Sequence, residues 1–115
     1  MKDMSLVLEV FEAEEAARFL SALSIGLLIS VQNGTMSLEE AERLLFSPRN
    51  SRILREKGIS PELSRLVMDC CELEDVLSLV PSEFNNSLQM ILDRFMSFLK
   101  SSKVRETDLN FLEIR

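Results

Sequence analysis

Two sets of residues have the types and spacing that chemistry requires. Asp69, Glu72 and Asp75 recur at every third position and flank the adjacent Cys70 and Cys71. Carboxylates spaced this way on a helix lie near one side, where they can offer oxygens to a divalent cation, divide acid and base work, or present an acidic face to a protein partner. The loop and glycine of a calcium site are missing and a solvated helix face produces the same spacing, so neither a metal nor a catalytic role is assigned to them. Arg49, Arg52 and Arg55 form the second set. Their guanidinium groups share a broad helix face and suit an anion, the phosphates of a nucleotide or nucleic acid, or a protein partner. No aromatic residue interleaves them to stack on bases, and solvated or acid-paired arginines are the plainer expectation. Cys70 falls at helical spacing with Leu63, Leu66 and Val67 and reads as a small core residue. Cys71 falls at the margin of that stripe, where acidic neighbours should raise its pKa and disfavour the thiolate.

Composition removes the commonest catalytic devices. The chain has 115 residues, 46% of them apolar and 28% charged, and no His, Trp or Tyr. Without histidine there is no imidazole base, no Ser/His or Cys/His pair and no His-containing metal site. No catalytic residue, cofactor or metal is therefore assigned, and the chain reads as a non-enzyme. The acidic net charge of −6 opposes general affinity for nucleic acid or anionic membrane. The charges are also segregated: residues 1–42 hold eight acids and two bases, 43–67 six bases and two acids, and 69–93 six acids and no base. Adjacent cysteines on a helix point about 100° apart, which disfavours an intrachain disulfide. With no basic leader followed by an apolar stretch, the expected location is the cytoplasm. The most apolar stretch, residues 19–31, contains three serines and a glycine. It is also shorter than the roughly 20 residues that a membrane span needs.

The elements that must position these residues follow from periodicity and capping. Residues 4–11 place Leu6, Leu8 and Val10 on one period-two face and are expected to form a short strand. A long helix is expected over 13–32, with acids in its first turn and Asn33-Gly34 at its end. It is apolar on nearly every side, which predicts a central helix about which the others pack. Ala22, Gly26 and Ser30 form a small-residue ridge on it, suited to a close crossing within the chain or to self-association. Ser37-Leu38-Glu39-Glu40 is a capping box, and Ser47-Pro48 and Ser60-Pro61 repeat the signal of an N-cap followed by proline. Residues 61–80 fit one helix or two with a break near Glu72, closed by Pro81. Over 82–100, Phe84, Leu88, Ile91, Leu92, Phe95, Phe98 and Leu99 form a single stripe. Residues 109–114 suit a strand that would pair with 4–11, within one chain or between subunits. The expected fold is mainly α. It is a single domain over 1–115, a compact bundle of five or six helices around a central apolar helix, with a small two-stranded β ribbon from the N- and C-termini.

Asn33-Gly34, the run from Ser37 to Glu42 leading to Leu45-Phe46-Ser47-Pro48, and Glu72-Leu73-Glu74-Asp75-Val76 ending in Leu79-Val80-Pro81 resemble a small bacterial family of uncharacterised proteins. The resemblance covers about residues 5–100. It implies a bacterial, cytosolic origin and brings no activity, cofactor or site residue. From the residues themselves, the expected function is a non-enzymatic protein–protein interaction module, self-associating as a homodimer or binding a protein partner through its segregated charges. Two alternatives stand beside it. One is phosphate or nucleic-acid binding through Arg49, Arg52 and Arg55, and the other is an immunity or antitoxin-like inhibition of a basic partner. No membrane partner is expected.

Overall fold

The computed structural model describes residues 12–102. Three serine caps set its middle. The hydroxyl of Ser37 accepts from the Glu40 amide at 3.1 Å, that of Ser47 from Asn50 at 3.2 Å, and that of Ser60 from Leu63 at 3.2 Å. Each relieves one of the amide donors that a helix start leaves open. They begin α2 (Leu38–Leu44), α3 (Pro48–Glu56) and α4 (Pro61–Cys71). Before them α1 (Ala13–Gln32) ends as anticipated, with Gly34 at φ 77° supplying the left-handed turn. After them come α5 (Leu73–Leu79), a 3-10 turn (Pro81–Glu83) and α6 (Phe84–Ser101). The open question over 61–80 resolves into two helices: the Glu72 amide donates to the Asp69 carbonyl at 3.1 Å, and α5 starts at Leu73.

Helix α6 is the hub. It packs on α1, α4 and α5, and its Leu88, Ile91, Leu92 and Phe95 are buried. The Phe95 and Phe46 rings are both fully buried, with centroids 6.4 Å apart. Antiparallel α1 is fastened to α6 by polar bonds at three levels. Arg18 donates to the Leu99 carbonyl at 2.8 Å, the Ser21 hydroxyl to the Phe95 carbonyl at 3.2 Å, and Gln32 to Gln89 Oε1 at 2.7 Å. The first places a cation at the negative end of the α6 dipole. A second tight crossing joins α3 to α4: Ser51 donates to the Ser64 carbonyl at 2.8 Å and Ser64 to the Ser51 carbonyl at 2.9 Å. Among the described residues every buried polar side-chain atom has a partner, as burial of such atoms requires.

The fold departs from expectation in three respects. Among the described residues there is no strand or sheet, and the fold is helical throughout, which corrects the helical bundle with a β ribbon. Both segments assigned to that ribbon, 4–11 and 109–114, lie outside the described residues. The expected bundle of five or six helices is corrected to four principal ones among the described residues. Four have nine residues or more, while α2 and α5 have seven each and act as short braces. Finally, α1 is not the centre: Ala22 and Gly26 on it are exposed, and α6, which packs on α1, α4 and α5, occupies that place.

Candidate functional site

Two arginines of the middle segment, Arg43 and Arg49, line a groove between α2, the start of α3, and α5. Ser47 and Pro48 fix where α3 begins, and buried Ser51 and Leu54 fix which side faces inward. Arg49, Arg52 and Arg55 are consequently all exposed. Arg49 donates to Asn50 Oδ1 at 3.4 Å, and none of the three meets a carboxylate within ion-pair distance among the described residues. Of the two plainer expectations for these arginines, solvated or acid-paired, the fold shows the first.

The facing wall is acidic. Glu42 on α2 and Glu74 on α5 line the same groove, of about 640 Å³, together with Glu39, Arg43, Arg49 and a floor that includes Leu38, Phe46 and Leu77. Partial burial, followed by the Glu74 charge and a hydrogen bond with its carboxyl, raises the Glu42 pKa above the ordinary carboxylate value. The nearest basic residue on α2, Arg43, is engaged with Glu39 at 3.9 Å. This pair of glutamates was not singled out in the sequence because it exists only once α5 folds back toward α2. The available signal was the stretch 69–93, whose acids have no base of their own. Leu77 at the groove is 44% exposed, and the residues following it, Leu79 and Val80, are 78% and 49% exposed.

The acidic set Asp69, Glu72 and Asp75 is not brought together. Asp69 pairs with Arg94 at 3.0 Å beside a second groove between α4 and α6, Glu72 ends α4, and Asp75 lies on α5. Among the described residues no group of three His, Cys, Asp or Glu side chains is placed to hold a metal ion. The ridge of Ala22, Gly26 and Ser30 faces away from the packed core: the first two are exposed, Ser30 is half-buried, and a Cβ at Gly26 would meet nothing within 4 Å. The close crossing on α6 uses other small residues, Ala17 and Ser21. Cys70 is buried, and burial pushes its thiol pKa strongly up; burial and the Glu42 charge raise that of Cys71, whose thiol donates to the Val67 carbonyl at 3.3 Å. Both thiols are free, and the upward shift of each disfavours the reactive thiolate.

No helix among the described residues is long and apolar enough to cross a membrane. Among curated proteins and among solved structures, none matches this chain. A family model described as "Protein of unknown function (DUF3969)" matches residues 11–113, nearly the whole length of the chain, and the protein therefore belongs to this uncharacterised family.

Proposed function

We propose that this protein is a non-enzymatic interaction module of the bacterial cytoplasm that binds protein through the charged surface formed by α2, α3 and α5. One observation carries this: Arg49 of α3, Glu42 of α2 and Glu74 of α5 line one groove, and among the described residues no ion pair joins the arginine to either glutamate. Unpaired opposite charges on rigid helices are set for steering and complementarity toward another surface. The exposed Leu77, Leu79 and Val80 add apolar area that a protein partner can cover and a small anion cannot. The two free cysteines, one buried and one half-buried, suit a reducing compartment.

The test is affinity capture from native cell extract on the purified protein, with wild type compared to a variant carrying Arg49→Glu, Arg52→Glu and Arg55→Glu. The reading predicts captured protein, this chain included, that is lost in the variant and in high salt. An unchanged captured set refutes it. Retention of a plain DNA duplex at low salt, lost in the same variant, would replace it with phosphate binding.

A further inference from the structure

We infer that the outward face of α1 is covered by this chain's own C-terminal segment, residues 103–115, which turns back where α6 ends and lies along α1 from Glu15 toward Ile29. The inference is independent of the groove between α2, α3 and α5. Glu15, Phe19, Ala22, Gly26 and Ile29 are spaced by four and three residues alternately, which sets them in one line on the side of α1 away from its buried residues. Ala22 and Gly26 on this line are exposed, and Phe19 and Ile29 are half-buried. From Phe19 to Leu38 the chain carries no charge at all. An uncharged, largely apolar helix face is unfavourable in water and calls for a cover.

The chain itself delivers the cover to this place. Arg18 donates to the Leu99 carbonyl and, at 2.8 Å, to the Ser102 hydroxyl, so α6 ends against the first turns of α1. Ser102, with extended backbone angles, directs the chain off the helix there. The 13 residues that follow can reach about 43 Å at about 3.3 Å each, and the line from Glu15 to Ile29 is about 21 Å long. Their order suits it. Lys103 and Arg105 come first, within reach of Glu12, Glu14 and Glu15 at the start of α1, and Leu109, Phe111, Leu112 and Ile114 follow, where α1 carries no charge. Glu15 and Phe19, one turn apart at the start of the line, are half-buried, and neither is without a partner. Residues 1–11 offer no such match. Their only base, Lys2, is at the end far from Glu12, and the family model, which matches 11–113, takes in nearly all of the C-terminal segment and almost none of theirs.

The chain has no Trp, so Phe111→Trp installs a single reporter in the full-length protein. Acrylamide quenching of its emission is measured in native buffer at about 1 µM and about 50 µM, and again after unfolding in urea. Quenching of the native chain should be at least about threefold weaker than in urea, at both concentrations, because the indole is held against α1. Adding Gly26→Glu sets a carboxylate on the covered line, where a Cβ meets nothing within 4 Å among the described residues. It should bring quenching to within about 1.5-fold of the urea value while helicity is kept. Adding Ser97→Glu, at an exposed site on α6, should change nothing. If the reporter or the carboxylate lowers helicity, Leu109→Trp or Ala22→Glu replaces it. Native quenching equal to that in urea overturns the inference, as does quenching indifferent to the carboxylate. Protection found only at the higher concentration overturns it too, and assigns the face to a second copy.

Discussion

Replacing Phe95 by alanine probes the assignment of α6 as the hub. Phe95 is fully buried, and its ring centroid lies 6.4 Å from that of Phe46. Removing a phenyl group from such a site costs about 3–5 kcal/mol, from lost transfer and the cavity left behind. The aromatic pair accounts for roughly 0.5–1.5 kcal/mol of that loss. A single domain holds about 5–15 kcal/mol in all. With an unfolding entropy of about 2.1 cal/mol/K per residue over 115 residues, each kcal/mol corresponds to about 4 °C, so Tm should fall by roughly 12–20 °C. Thermal and urea unfolding followed by circular dichroism measures this directly. The control is Met96→Ala, one residue along the same helix but 41% exposed, which should change stability by no more than about 0.5 kcal/mol. A loss under about 1 kcal/mol at Phe95, or an equal loss at Met96, would refute the hub assignment. The consequence reaches the surface as well, because α6 supports α5, which carries Glu74 and Leu77.

Other expectations concern smaller features. Ser64→Val places a branched apolar side chain in the α3–α4 crossing and removes its bonds to Ser51, so urea denaturation should show a loss of about 1–3 kcal/mol. Glu42 has a folded-state pKa above its ordinary value, so the folded state binds the proton more tightly and stability falls as pH rises through that raised pKa. Glu74→Gln should make this fall shallower and raise stability at neutral pH by about 0.2–0.5 kcal/mol, a small figure because the pair is largely solvated; urea midpoints at acidic and neutral pH measure it. Both cysteines should react with an aromatic disulfide reagent far more slowly in the folded protein than in urea, with Cys70 the slower, as peptide mapping after timed quenching will read.

What was legible in the sequence was whatever rests on neighbours along the chain. The caps at Ser37, Ser47 and Ser60 each involve an amide three residues away, and the ends of α1 follow from local turn chemistry at Asn33-Gly34. The α6 stripe was legible because periodicity reports one face directly, and Leu88, Ile91, Leu92 and Phe95 are all buried. Features that depend on how helices meet were not. The spacing of Asp69, Glu72 and Asp75 assumed one continuous helix, and the break at Glu72 disperses them. Likewise, the Ala22, Gly26 and Ser30 ridge and the Ala17 and Ser21 approach look equally suited to a crossing, and only the direction of Arg18 toward the end of α6 decides between them. Glu42 and Glu74 lie 32 positions apart and meet only through the path of α5. The charge segregation itself was visible from the start, but not that Arg49, Glu42 and Glu74 would line one groove.

The central proposal is that the α2, α3 and α5 surface is where this chain meets protein. Amide spectra of the isotopically labelled protein, recorded at low salt with and without the protein captured from extract, test it residue by residue. Shifts on addition of the partner are predicted at Glu42, Arg49, Arg52, Arg55, Glu74 and Leu77, and they should vanish in high salt. Shifts centred instead on Ala22, Gly26 and Ser30 would contradict the account.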